Sequence, residues 1–314
     1  MIRVACIGEC MIELKQAEQG LYSRGYGGDT LNTAVYLARL GASVDYVTAL
    51  GDDPFSDEMV AGWAAEGIGT KQVARLPGKL PGIYLIQTDD GGERRFFHWR
   101  ESSAARSLLD LPEADHMLRS LEGYNVVYLS AITLSIYAAS GRERLMSALR
   151  RAREQGARVV FDTNFRARLW PDLDVARRVY RDAFDIADIV LASTEDLVPL
   201  YPDQTNERMI AQIPSPEVVL KLSDPESMLR FAGVLQHVKA EPVTKPVIDT
   251  TAAGDSFAAA YITARLAGAE PSEAARAGHH LAGVVVCHPG AIIPRSAMPE
   301  ISEAGPAPSR KARS

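Results

Sequence analysis

The run Asp249-Thr-Thr-Ala-Ala-Gly-Asp-Ser-Phe257 puts a carboxylate directly behind three small residues, where strand-like Val247-Ile248 meets a strong helical pattern. Small residues let backbone come close to a ligand. The N–H groups of Ala252, Ala253 and Gly254, with the positive end of the following helix, would form an anion hole suited to a phosphoryl group in transfer. Asp255, beside that hole, would take the proton of an attacking hydroxyl, a role worth about 10²- to 10⁴-fold in rate. A Gly-Asp pair at a helix start is also an ordinary cap, so the chemical reading needs support from elsewhere in the chain.

The elements that must position these residues follow a regular rhythm. A strand over 4–8, a polar stretch over 15–24 and a helix over 30–40 closed by Gly41 are followed by a strand over 44–50 and a helix over 57–66 that stops at Gly67. Residues 73–100 alternate apolar and polar types, with turn signals at Pro77-Gly78 and Asp89-Asp-Gly-Gly92, and read as a β-hairpin. Strands over 126–130, 159–162, 189–192 and 218–222 alternate with helices over 142–155 and 174–184; two short strands and two long helices, 255–266 and 271–286, follow. Such βα repetition predicts an α/β fold, a mainly parallel sheet flanked by helices. The hairpin has no helix beside it, so it reads as a small β-sheet lid over the carboxyl ends of the strands, where ligands bind in open sheets. The expected division is a core of 1–12, 30–76 and 101–300, a lid of 13–29 and 77–100, and a disordered tail over 301–314.

Composition narrows the class. A chain of 314 residues, 46% hydrophobic, can bury a large core. Its net charge of −6 argues against a nucleic-acid partner, and the arginines over 142–158 read as a solvated helix face. The apolar runs fall well short of the roughly 20 residues that cross a bilayer, so no membrane association is expected. The strand pattern over 2–7 leaves no export signal, and an odd count of three cysteines reads as free buried thiols; both point to the cytoplasm.

Two separated motifs carry a resemblance. Asp249 to Phe257 and Gly27-Gly28-Asp29-Thr-Leu-Asn32 are similar, in order and spacing, to the two signatures of the ribokinase-like, or PfkB, carbohydrate kinases. Within that family, Ile7-Gly-Glu-Cys-Met-Ile-Glu-Leu14, Phe96-Phe-His-Trp-Arg100, Asp162-Thr-Asn-Phe-Arg-Ala-Arg-Leu-Trp170 and Gly290-Ala-Ile-Ile-Pro-Arg295 look like the kinases of 2-keto-3-deoxygluconate. The resemblance covers about residues 2–300 and implies a Rossmann-like (ribokinase-like) fold, ATP and Mg²⁺ as cofactors, and a small sugar acid as acceptor at its 6-hydroxyl. A kinase of another sugar acid or of a neutral ketose, and a non-catalytic sugar-binding regulator, remain alternatives.

The resemblance also implies roles. Gly28, Asp29 and Asn32 would bond sugar hydroxyls, with Tyr84 and His98 flanking the sugar from the lid; the family usually has Tyr where His98 stands, and His98 reads equally as a plain strand residue. Arg100 and Arg166 would converge on the carboxylate, for which a guanidinium offers forked donors. Asn164, Arg166, Ser193, Lys221, Ser223 and Gly254 would line the nucleotide. Asp196, the acidic end of Ser193-Thr-Glu-Asp196, would organise Mg²⁺ indirectly. Ser223 and Glu226 replace the two glycines of the family's nucleotide loop, and Asp224 and Glu226 would repel phosphate if they faced it. Lids with an exposed face often pair, so a homo-oligomer through the lid is expected.

Overall fold

The computed structural model describes residues 2–17, 20–88 and 94–299. The chain runs β1 (Arg3–Ile7), β2 (Met11–Gln16), β3 (Tyr22–Gly27), α1 (Asp29–Arg39), β4 (Ser43–Gly51), α2 (Pro54–Ala65), β5 (Val73–Leu76), β6 (Ile83–Thr88) and β7 (Arg94–Trp99). Then follow α3 (Ala114–Ser120), β8 (Val126–Ser130), α4 (Ala131–Ile136), α5 (Ala139–Glu154), β9 (Arg158–Asp162), α6 (Leu173–Ile186), β10 (Ile189–Ser193), α7 (Thr194–Leu197) and α8 (Asn206–Gln212). The chain continues through β11 (Glu217–Lys221), β12 (Glu226–Phe231), β13 (Val234–Lys239), α9 (Ala253–Leu266) and α10 (Pro271–Val285).

A nine-stranded sheet, ordered β13-β12-β11-β10-β9-β8-β1-β4-β5, is parallel except for β12 and β13. Its central strands are buried on both faces, which is why they read as unbroken apolar runs. One face packs against α1, α2, α9 and α10, through Leu37, Trp63, Tyr261 and Leu281 among others. The other packs against α3 to α8, through Leu118, Leu134, Leu149, Tyr180, Leu197 and Ile210. A separate four-stranded sheet, ordered β3-β2-β6-β7, pairs β2 with β6 in parallel and is otherwise antiparallel. This is the ribokinase-like α/β architecture expected from the sequence.

Several boundaries differ for local reasons. Residues 15–24, read as a polar excursion, supply the end of β2 and the start of β3, because the small sheet tolerates polar residues on its wetter positions. Its first strand starts at Met11, inside the stretch assigned to the core. Val73–Leu76, read as part of the hairpin, instead extends the main sheet by pairing with Thr48 to Gly51 of β4. Helix α2 begins at Pro54, earlier than expected, since the Asp53 carboxylate accepts from Phe55 N and Ser56 N at 3.0 and 3.1 Å and Pro suits the first helical position. Val247 and Ile248 are not in a strand; both stand exposed, and Ile248 N–H bonds the carbonyl of Val286 instead of a sheet neighbour. The turn at 89–92 and the tail over 301–314 lie outside the described residues. The three cysteines are free and buried, and no described helix is long and apolar enough to cross a membrane.

Candidate active site

Two helices that enter the crevice side by side bring distant motifs together. Gly28 leads into α1, and an added Cβ there would lie 2.2 Å from the Glu9 carbonyl, so only glycine lets the two segments touch. Helix α1 packs along α9, and Asn32 Nδ2 donates to Asp255 Oδ2 at 2.8 Å while Thr33 Oγ1 donates to the Asp255 carbonyl at 3.3 Å. Burial, then the negative charge of Asp29, push the Asp255 carboxyl up to about 8 against the opposing Asn32 bond. A carboxylate with that proton affinity is matched to receiving a proton near neutral pH. Asn164 Nδ2 donates to Asp29 Oδ2 at 2.8 Å, so this residue, expected on the nucleotide side, faces the Asp29 end.

The start of α9 is bent to present its amides. Ala252 adopts a left-handed φ of 62°, a conformation costing an L-residue about 1 kcal/mol, and the helix begins at the next residue. Ala253 N–H is spent in the turn, donating to the Thr250 carbonyl at 3.2 Å. Of the three expected hole amides, this one is therefore already engaged. The first-turn amides of Gly254 and Asp255 follow, groups for which an α-helix offers no carbonyl in a preceding turn. Asp249 fixes the loop, accepting from Thr251 N and Gly290 N at 2.9 Å each. Lys221, at the end of β11, brings its ammonium to this spot: a Cβ on Gly254 would sit 3.4 Å from Nζ. The same Nζ lies 3.5 Å from Asp162 Oδ2 and 5.8 Å from the centre of the Phe257 ring. A helix N-terminus and an ammonium at one point form an anion site.

Neighbouring residues of the expected nucleotide set stand in structural bonds. Ser193 Oγ donates to Asp196 Oδ2 at 2.8 Å and accepts from Asp196 N–H, capping α7. Ser223 Oγ lies 3.5 Å from Thr194 Oγ1. Glu226 turns its carboxylate to His237 Nδ1, 2.6 Å away across the β12–β13 hairpin, rather than toward Lys221. The repulsion of phosphate considered for Glu226 is thus muted by a partner of its own.

Asp196, expected to organise Mg²⁺ indirectly, spends both carboxylate oxygens on the protein. Its Oδ2 also accepts from Thr163 Oγ1 and its Oδ1 from Phe165 N, both at 2.8 Å, with the Arg166 guanidinium 3.7 Å off. Asp162, buried and pushed up to about 6 chiefly by that burial, faces Lys221. Among the described residues no group of three or more His, Cys, Asp or Glu side chains is placed to hold a metal ion.

At the other end of the crevice, Tyr84 on β6 donates to Glu13 and lies against Gly27, where a Cβ would fall 2.1 Å from its hydroxyl. The Tyr84 and His98 rings stack with centroids 5.7 Å apart. Arg100, expected at the sugar carboxylate, is 4% exposed and its Nη2 is ion-paired with the buried Glu9 carboxylate. The bare Cα of Gly82 makes room for this pair, since a Cβ there would come within 3.1 Å of both Arg100 Cβ and Glu9 Oε1. Among the described residues, Glu9 Oε1, Arg100 Nε and Asn32 Oδ1 are buried with no hydrogen-bond partner. Arg166 leaves half its side chain exposed and donates to the Phe165 carbonyl.

Three further residues touch the expected site residues, although the sequence does not single them out within its motifs: Glu9, which pairs Arg100; Asp162, which pairs Lys221; and Arg168, which bonds His98. Each motif resembled its counterparts as a whole, and only contacts across the fold separate these side chains from their neighbours.

A poised carboxylate beside a helix N-terminus and a lysine, on a ribokinase-like sheet with a second small sheet, defines a carbohydrate kinase. The profile of the pfkB family carbohydrate kinases matches residues 1–298, and the chain belongs to this family. It is 43% identical over 305 residues to the 2-dehydro-3-deoxygluconokinase of Dickeya dadantii, covering 94% of this chain and 98% of that protein. It is 36% identical over 307 residues to the protein of that name from Haemophilus influenzae, covering 95% and 98%. Among solved structures, the Thermotoga maritima 2-dehydro-3-deoxygluconokinase superposes with a TM-score of 0.81 at 23% identity, over 93% of this chain and 96% of that one, a likeness of fold.

Proposed function

We propose that this kinase transfers the γ-phosphoryl group of ATP to the 6-hydroxyl of 2-keto-3-deoxy-D-gluconate, the same sugar acid as 2-dehydro-3-deoxygluconate, in the cytoplasm. The observation that carries this reading is the buried carboxyl of Asp255, raised to about 8, at the start of α9 and within reach of the charge of Lys221. Ionised Asp255 takes the proton as the hydroxyl oxygen forms its bond to γ-phosphorus; the bond from that phosphorus to the β,γ-bridging oxygen breaks, and ADP leaves. Gly254 amide and Lys221 stabilise the charge on the phosphoryl group in transit. Mg²⁺ bound with the nucleotide would offset the charge of the phosphates, with Asp196 acting on it through water. Gly28, Asp29, Asn32, Tyr84 and His98 surround the sugar, and the small sheet acts as the lid.

The Glu9 partner of Arg100 favours one alternative, a neutral ketose, because it offsets the cation that an acid would use. A coupled assay of ADP release with ATP, Mg²⁺ and a panel of 2-keto-3-deoxygluconate, gluconate, fructose and ribose separates the two, with Asp255→Asn as control. Turnover of fructose above that of the keto-deoxy acid would reject the acid reading; sugar binding without ADP release would make the protein a regulator. We also propose that two copies pair through the lid face carrying Phe97 and Trp99, which are 43% and 58% exposed beside Ile83 and Leu85. Sedimentation of Trp99→Glu, expected to be monomeric where the parent is dimeric, tests this.

A further inference from the structure

The loop after β9 carries a guanidinium that the transfer chemistry above does not use. Arg168 Nη2 lies 2.7 Å from His98 Nε2, and its Nη1 lies 3.5 Å from the Phe96 carbonyl, so one side chain of the core loop holds β7 of the small sheet at two points. A guanidinium only donates, which makes Nε2 the acceptor and puts the imidazole proton on Nδ1. His98 is held neutral far below its ordinary range, at about 4, by burial and then by the charges of Arg168 and Arg100. His98 in turn stacks on Tyr84, whose hydroxyl is tied to Glu13. Arg168 therefore fixes a row of lid side chains from outside the lid.

Its electrostatic position is unusual. Burial first, then the charges of Arg100 and Arg166, lower the proton affinity of Arg168, so three guanidiniums press on one region. Arg100 has Glu9 and Arg166 has Asp196 at 3.7 Å, whereas Arg168 has only neutral acceptors among the described residues. Like-charge repulsion works against its bond to His98, and an anion would relieve it.

We propose that Arg168 is a positioning residue that couples the acceptor to the lid: it fastens β7 through His98 and Phe96, and a carboxylate arriving among the three arginines strengthens that fastening. The carboxylate half rests on the sugar-acid reading above. The test uses the full chain with Arg168→Ala, Arg168→Lys, His98→Phe and the Arg168→Ala/His98→Phe double variant. Arg168→Ala should raise KM for 2-keto-3-deoxygluconate by about 10-fold while kcat changes less than about threefold, the pattern of a lost binding contribution. KM for a poor neutral substrate, fructose, should move less than about threefold, and Arg168→Lys should recover only part of the loss because it lacks the fork. The double variant should be no worse than the worse single one, since both remove one bond. In sugar-free protein, the His98 imidazole followed by NMR should titrate at higher pH in Arg168→Ala than in wild type. An unchanged KM in Arg168→Ala, or multiplied losses in the double variant, overturns the proposal. A wild type that turns over no keto-deoxy acid overturns the substrate reading and the carboxylate half with it. The His98 titration then decides the bond alone, and coincident curves would refute it.

Discussion

Replacing Asp255 with Asn should make the protein more stable while abolishing most turnover, and the gain should depend on pH in a defined way. The carboxyl is raised from 3.8 to about 8 in the fold, first by burial and next by Asp29. Between those values the unfolded chain has released the proton and the folded chain still holds it, so unfolding becomes easier as pH rises, until the folded group also ionises near 8. At pH 7 about three units of that interval have been crossed, which at about 1.36 kcal/mol per unit is about 4 kcal/mol. Asp255 is partly exposed at the crevice floor, and water screening there leaves an expected cost of about 2 to 3 kcal/mol.

Asparagine carries no such cost and can still accept from Asn32. Thermal melts of the two proteins from pH 5 to pH 9 should therefore diverge with rising pH up to about 8 and run parallel beyond it. At roughly 2 to 3 °C per kcal/mol, the variant should melt about 4 to 9 °C higher at pH 7. Its ADP release should fall by about 10²- to 10⁴-fold. Melting curves that stay parallel between pH 5 and pH 8, or a variant less stable throughout, would refute a raised Asp255 and with it the idea of a base tuned by desolvation.

The same tuning predicts that kcat/KM of the wild type rises with pH through about 8, because the free enzyme must ionise Asp255 to act; Asp29→Asn should move that limb to lower pH, as read from a pH–rate profile. Glu9→Gln leaves the Arg100 charge buried without a counter-ion and should cost about 3 kcal/mol in urea unfolding; a loss under about 0.5 kcal/mol would mean the pair is better hydrated than its burial suggests. Lys221→Met should lower kcat by about 10²-fold with the sugar KM nearly unchanged, and a selective loss of sugar affinity would instead place Lys221 at the acceptor. Ala252→Gly should retain activity and gain up to about 1 kcal/mol by relieving the left-handed φ of 62°, whereas Ala252→Val should lose both, since a β-branched residue resists that conformation.

The fold was legible where burial on both faces made strands into apolar runs and where glycine closed the helices, as in 126–130 and at Gly41. It was illegible where an element takes its identity from a partner: 73–76 has the same local pattern as the lid strands, and only pairing with β4 assigns it to the main sheet. Val247 and Ile248 fail for the converse reason, being β-branched residues with no strand beside them. At the site, Asp255 and Asn32 could be singled out because short motifs surround them, but their 2.8 Å contact spans 223 positions. Arg100 shows the limit more sharply. Its side-chain type suggests a free cation, while the residue that pairs it, Glu9, is 91 positions away and comes within reach only because Gly82 leaves the space.

The pairing of Arg100 changes what the arrangement of charge implies. Lys221 meets the α9 N-terminus and Asp162, the charges of Asp29 and Asp162 act on Asp255, and those of Arg100 and Arg166 act on Arg168, with Glu9 paired to Arg100. Mutual repulsion among the carboxylates, visible in the Asp29 contribution to Asp255 and the Asp196 contribution to Asp162, raises their proton affinity. Lys221 lowers the proton affinity of both Asp162 and Asp255 without cancelling the effect of burial. A ligand set with two negative groups and a hydroxyl would answer each of these charges: a phosphoryl group beside Lys221, a carboxylate beside Arg166 and Arg168, and a proton to deliver to Asp255. Uncharged ketoses satisfy two of the three. On this argument, acid specificity resides less in Arg100, already compensated by Glu9, than in the uncompensated Arg168 and half-exposed Arg166, and removing Arg168 should narrow the preference for acid over neutral sugar more than removing Glu9 widens it.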